Sequence, residues 1–128
     1  MGILFNEKTG EFHLYNNTIS YMMKILRNGQ MGQLYFGKKV ALREDYGYLI
    51  ENRYRPVSAY VYDDEYSFSL EHLKQEYPSY GTTDFRMPAL EITQQNGSRI
   101  TDFKYVSHKI YKGKPKLKGL PATYVESE

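Results

Sequence analysis

Cysteine and tryptophan are both absent from this chain of 128 residues. Without cysteine there is no disulfide framework, no thiolate metal site and no thiol nucleophile, and a cytoplasmic setting is the default expectation. Long apolar runs are missing too. The N-terminus, Met1-Gly2-Ile3-Leu4-Phe5-Asn6-Glu7-Lys8, lacks the apolar core of a signal peptide, so no membrane partner is expected, and the glycosylation patterns at Asn16 and Asn96 carry no meaning without secretion. Charge of one sign is not in excess. Seventeen basic and fifteen acidic residues leave a net +2, too balanced to point to a nucleic acid. No stretch of helical period exceeds about ten residues, where mean helices run to about eleven or twelve.

Tyrosine is abundant instead: fourteen, beside six phenylalanines. An apolar ring with a polar tip suits strands and half-buried surfaces, and in a loop it suits stacking on a sugar ring. The length fits one domain.

The fold class expected is all-β, an antiparallel β-sandwich with one short helix near 69–75. A strand is predicted at 11–15, followed by an Asn16-Asn17 turn. A second is predicted at 18–26, with Ile19, Tyr21, Met23 and Ile25 forming its strongly apolar face. Asn28-Gly29 reads as a two-residue hairpin whose central residues both need positive φ, and the return strand is placed at 31–36. Gly32 marks a bulge or a close backbone approach. Ser69 reads as the cap of the short helix, with Glu71 in its first turn.

The stretch Tyr77-Pro78-Ser79-Tyr80-Gly81-Thr82-Thr83-Asp84-Phe85-Arg86 reads as an ordered turn feeding a strand. Pro78 fixes one φ and Gly81 supplies a positive one. A period of two places Asp84 and Arg86 on one face as a structural ion pair and Phe85 on the other, toward a core. A second hairpin is expected around Asn96-Gly97, with strands at 90–94 and 99–111 anchored by Ile100, Phe103, Val106 and Ile110. The lysines at 112, 114, 116 and 118 read as a blunted edge strand in preference to a phosphate-tracking groove. The β-prone run at 122–126 stops without a terminating signal, as in a fragment of a longer protein.

Residues 43–66 have no clear period apart from a brief extended run at 59–62, and a long irregular loop in a compact domain usually has a function. Arginines interleave with tyrosines there. Guanidinium forks bind hydroxyls or carboxylates and tyrosine faces stack on pyranoses; packing within the loop is the commoner reading of the interleaved Arg43, Arg53 and Arg55 with Tyr46, Tyr48, Tyr54, Tyr60 and Tyr62, and Arg53, Arg55 and Tyr60 are the candidate sugar contacts on chemistry alone. A glycosidase needs two carboxyl groups, about 5–5.5 Å apart for retention. The pairs Glu44-Asp45 and Asp63-Asp64-Glu65 sit in polar sequence that raises neither pKa, and they read as turn residues. His13, His72 and His108 fall in separate elements without metal-ligand spacing, so no metal and no cofactor is expected.

The blocks Glu76-Tyr-Pro-Ser-Tyr-Gly-Thr-Thr-Asp-Phe-Arg with Pro88-Ala89, Asn96-Gly-Ser, Ile110-Tyr-Lys-Gly-Lys-Pro and Gly119-Leu-Pro-Ala-Thr-Tyr-Val-Glu carry a family resemblance. Together with Phe5-Asn6, Glu11-Phe12-His13-Leu14, Ser20-Tyr21 and Tyr35-Phe36-Gly37-Lys38, they make the chain similar to the N-terminal region of bacterial alpha-galactosidases of glycoside hydrolase family 36. The resemblance implies residues 1–128 of an N-terminal β-supersandwich, truncated before a catalytic TIM barrel and a C-terminal β domain. Both catalytic aspartates of that family belong to the barrel, so this chain alone is expected to be inactive. The implied parent is a retaining enzyme acting on melibiose- or raffinose-like alpha-galactosides. Its partners are further subunits, in a homo-oligomer that is commonly a tetramer, with a loop of this domain reaching a neighbour's active site. The alternative from the tyrosine-rich loop is a free-standing carbohydrate-binding module.

Overall fold

The computed structural model describes residues 2–114 and 117–121. Four strands run in sequence order as an antiparallel meander: β1 (Gly2–Asn6), β2 (Glu11–Tyr15), β3 (Ile19–Ile25) and β4 (Met31–Lys38). Single 3₁₀ turns at Gly47–Leu49 and Leu70–His72 are the helical elements among the described residues. The class is all-β with a short helical turn, as expected, and the described residues hold one sheet. The run at 122–126 and Lys116 lie outside them. No helix among them is long and apolar enough to cross a membrane.

Each connection follows from local chemistry. Asn16 Oδ1 accepts from the backbone N–H groups of Thr18 and Ile19, both at 2.8 Å, so the side chain stands in for a backbone acceptor and turns the chain between β2 and β3. At the next hairpin Gly29 alone takes a positive φ (+86°), its N–H bonding Leu26 O while Leu26 N bonds Gln30 O. The connection is therefore a type I turn closed by a left-handed glycine, and the two-residue primed turn expected there does not form. β1 was not anticipated, because an apolar run with no alternation gives no period. It pairs with β2 from Gly2↔Tyr15 to Asn6↔Glu11.

Gly32 marks a close approach: a Cβ there would lie 2.6 Å from Leu26 Cδ2. The bulge comes two residues later, since Met22 faces Tyr35 and Met23 faces Gln33, leaving Leu34 as the extra residue on β4.

The buried face of β3 is the opposite of the one expected. Ser20 and Met22 are enclosed, whereas Ile19 is 41% exposed. Residues 40–50 and 61–73 lie over the Ser20 side. There Met22, Leu34 and Tyr46 form one core group, and Leu26, Phe68, Leu70 and Leu73 another, with Ile50 packed against both. Hydrophobicity along a strand cannot tell which side its loops will cover. On the other side, Phe36 remains 66% exposed, and Phe5 and Phe12 pack against His108 at centroid distances of 4.3 and 4.8 Å.

The second Asn-Gly turn forms, with Gly97 at φ +81° and Gln94 N bonded to Ser98 O, but its flanks do not pair as strands. Leu90, Ile92, Ile100, Val106 and Ile110 are exposed, because the described residues supply no layer against which a strand could bury one face. The extended run at 59–62 likewise makes no strand. Residues 112–114 and 117–121 are exposed and irregular, so the lysine-blunted edge strand is not realised there.

Candidate functional site

The segment from Tyr77 to Arg86 closes on itself. Gly81 and Asp84 exchange backbone hydrogen bonds of 2.7 and 3.0 Å around Thr82 and Thr83, which both carry positive φ (+52° and +75°). Two β-branched residues in the left-handed region make this a strained primed turn. No strand follows, so the face assignment made from a period of two fails. Phe85 is 60% exposed against the Tyr80 ring, while Asp84 is buried. The Asp84 carboxylate accepts from Arg86 Nε (2.9 Å), Arg86 Nη2 (2.8 Å), the Arg86 backbone N–H and Gln75 Nε2. Burial pushes that carboxyl up, and the hydrogen bonds and charge of Arg86 outweigh it, leaving the pKa below the ordinary carboxylate value. Arg86 Nη2 also donates to the carbonyls of Leu70 and Leu73, adding a second partner to Leu70 O, which the 3₁₀ turn already bonds to Leu73 N, and satisfying Leu73 O just beyond the turn. Pro78 O accepts from Ala89 N at 2.9 Å and closes the loop at its base.

Residues 48–66 form a lobe exposed at 52–57, while Ile50, Val61 and Tyr62 pack against the core. Arg53 and Arg55 come together with Tyr48, Leu49, Glu51 and Asn52 around an open hollow of about 500 Å³. Arg55 is ion-paired with Glu51, and Tyr60 lies beside this hollow, its hydroxyl reaching Arg55 O at 3.5 Å. Tyr60 packs edge-on against Tyr66 at 4.8 Å, and Tyr54 against Tyr66 at 6.2 Å. Desolvation, then Tyr54 and Tyr66, raise the Tyr60 phenol above its usual pKa, so it stays a neutral donor at physiological pH. Val57 at the tip is fully exposed with φ +68°. Two guanidinium groups and three phenol rings on one open lobe suit a ligand rich in hydroxyl groups.

Asp45 and Glu65 are spent on structure. Asp45 accepts from Gly47 N, and Glu65 pairs with Arg27, whose guanidinium lies over the rings of Tyr62 (5.3 Å) and Phe68 (5.8 Å). Asp45, through the Gly47 N–H, and Glu65, through Arg27, are held below the ordinary range, as Asp84 is; a general acid requires the opposite displacement. Among the described residues no three metal-ligating side chains converge.

Sequence reasoning missed the polar group beneath the loop's root. Glu11 and His13 on β2 share a sheet face with Lys24 and Ser20 on β3, and Tyr46 comes down onto them. The sign was their common parity on two adjacent predicted strands, an alternating polar set too regular for a solvent face that also carries Met22.

Residues 29–128 match the Glycosyl hydrolase family 36 N-terminal domain. The chain is 46% identical over 129 residues to the alpha-galactosidase AgaA of Geobacillus stearothermophilus, covering all of this chain and 17% of that protein. It is 34% identical to the alpha-galactosidase Mel36A of Lactobacillus acidophilus, covering 98% of this chain and 17% of the relative. Among solved structures, the alpha-galactosidase of Lactobacillus brevis superposes with a TM-score of 0.88 at 35% identity, over 97% of this chain and 17% of that one. A variant AgaA solved with raffinose superposes at 0.76 with 46% identity, over 91% and 16%. The chain thus spans about a sixth of the length of these relatives.

Proposed function

This chain belongs to the glycosyl hydrolase family 36 N-terminal domain family, and on that premise we propose that it is the non-catalytic β domain of a cytoplasmic, retaining alpha-galactosidase. In that enzyme it joins subunits into a homo-oligomer, a tetramer, and presents residues 48–66 at the mouth of an active site built by other residues. The observation that carries the reading is the family match over residues 29–128 together with whole-chain identity to alpha-galactosidases. The Arg53, Arg55 and Tyr60 lobe supports the second part, since it offers hydroxyl-binding groups on an open surface. Hydrolysis belongs to the parent, and the 128-residue chain is inactive alone. The test is to replace residues 52–60 by a short glycine-serine linker in the full-length protein. KM for raffinose rises and the oligomer weakens, by light scattering, while the protein stays folded. Unchanged KM and unchanged assembly overturn the reading.

The stacked Tyr54, Tyr60 and Tyr66 favour one other role, autonomous sugar binding. Saturable binding of galactose or raffinose to the isolated chain by calorimetry selects that alternative; no heat at millimolar sugar leaves the entrance role.

A further inference from the structure

The loop that carries the candidate sugar contacts is rooted on the sheet through one histidine, and its proton positions follow from hydrogen-bond accounting. Residues 39–47 cross the buried face as a strap. Lys39 N bonds Thr18 O (2.8 Å), Val40 N bonds Ser20 Oγ (3.1 Å), and Tyr46 N bonds Glu11 Oε2 (3.0 Å). Beneath the strap His13 meets Ser20 Oγ through Nε2 at 2.9 Å and the Tyr46 hydroxyl through Nδ1 at 3.3 Å. All three residues, and Glu11, are buried.

The Tyr46 hydroxyl has one proton and donates it to Ala41 O at 2.8 Å, while it accepts from Arg43 N at 2.9 Å. Toward His13 it therefore has only a lone pair, so Nδ1 must carry the hydrogen. A neutral imidazole protonated on Nδ1 leaves Nε2 as an acceptor. Ser20 then donates its single proton to Nε2 and keeps a lone pair for the Val40 N–H. Every donor in the group has one acceptor.

We infer that His13 is held as the neutral Nδ1–H imidazole and is the positioning residue that hooks the 39–47 strap, and with it the root of the sugar-facing lobe, onto the sheet. A second proton on Nε2 would force the Ser20 hydroxyl to accept there, take away the acceptor of its own hydrogen and bury a charge. The surrounding groups do not compensate it. Lys39 repels it, Glu11 is occupied by Lys24 Nζ (2.9 Å) and by Tyr46 N, and β1 contributes only Leu4 and Asn6 to this face. Tyr15 stacks beside the ring at 5.3 Å under Lys39, and Arg43, Glu44 and Asp45 line the solvent side of the same cavity. Burial first, and Lys39 second, accordingly hold the imidazole below its ordinary pKa. The hook is closed at neutral pH and released by acid. What release does to catalysis rests on the entrance role proposed above; the hook itself does not.

Hydrogen exchange by mass spectrometry on the full-length protein tests it, with rates corrected for intrinsic pH dependence. As pH falls below the ordinary imidazole value of about 6.5, exchange of the Val40, Arg43 and Tyr46 amides rises about tenfold per pH unit, and the β3–β4 ladder stays protected. His13→Asn, which keeps a donor and an acceptor but cannot charge, makes strap exchange independent of pH. Should His13→Asn not fold, Ser20→Ala removes the donor to Nε2 and the acceptor of Val40 N, so strap exchange is faster at neutral pH and rises over a shorter pH range than in the wild type. Strap exchange flat with pH in the wild type, or moving together with the β3–β4 ladder, overturns the hook. A pH dependence that survives in folded His13→Asn also overturns it. The KM for raffinose, followed over the same range, separates the two readings: exchange that responds while KM does not upholds the hook and rejects the entrance role.

Discussion

Arg86 donates from Nη2 to the carbonyl oxygen of Leu70 at 2.7 Å, sixteen residues away, while the same nitrogen holds Asp84 at 2.8 Å. One guanidinium thus ties the 3₁₀ turn at Leu70–His72, whose Leu70 is fully enclosed in the core, to the strained turn that follows it.

Arg86→Ala leaves the Asp84 carboxylate buried with Gln75 Nε2 as its remaining side-chain donor and takes a donor from two carbonyls, of which Leu70 O keeps Leu73 N. Removing one partner of a buried pair costs about 3–5 kcal/mol; Arg86 is half exposed, which brings the expected loss to about 2–4 kcal/mol. Urea unfolding measures it, and Arg86→Lys recovers only part, since an ammonium cannot fork across a carboxylate and two carbonyls. Acid tells the same story. The folded carboxyl of Asp84 lies below its unfolded value of about 3.9, so its stabilisation is complete above that pH and drains as pH falls through the folded value. Asp84→Asn removes that part of the acid dependence. A wild-type acid limb that persists in Asp84→Asn would show that other carboxylates carry it.

Thr82 and Thr83 occupy conformations that suit asparagine and glycine. The double change Thr82→Asn with Thr83→Gly keeps the primed turn and relieves two β-branched residues, for a gain of about 1–2 kcal/mol in the midpoint of unfolding. A loss would mean that the threonine side chains contribute more by packing than the backbone strain costs.

Gly32→Ala drives a methyl to within 2.6 Å of Leu26 Cδ2, a buried side chain of the core. The expected cost is about 1–3 kcal/mol, and Leu26→Ala in the same chain recovers part of it by making room, a coupling that a double-mutant cycle reads directly.

The positions of the turns were legible because each is written in residues adjacent or two apart: Asn16 with Thr18, Asn28-Gly29, Asn96-Gly97; the type of the second turn and the strands around the third were not. The short helical turn was legible for the same reason, since Ser69 Oγ accepts from Glu71 N at 3.3 Å. What was lost needed distant chain. Which face of β3 is buried depends on residues 40–50 and 61–73. Whether residues 90–111 become strands depends on a layer that the described residues do not supply. Phe85 was misplaced because the turn before it is tighter than a period of two allows. Arg53, Arg55 and Tyr60 were chosen by side-chain chemistry, and the geometry groups them around one lobe without fixing what they touch. The role of His13 was not legible because a histidine between Phe12 and Leu14 has an ordinary strand context, and its partners are contributed by two other segments.

Because every hydrogen-bonded neighbour in the sheet is also a neighbour in sequence, the order in which ribosomes deliver the chain is also the order in which its layers can close. The first 38 residues contain the four strands of the sheet, so every strand has left the ribosome before the segments that cover it. The sheet can pair while the strap is still being made, the strap can then cover Ser20 and Met22, and the segment holding Phe68 and Leu70 follows. Asp84 and Arg86 arrive after everything they fasten, which is the place in time that a clasp requires.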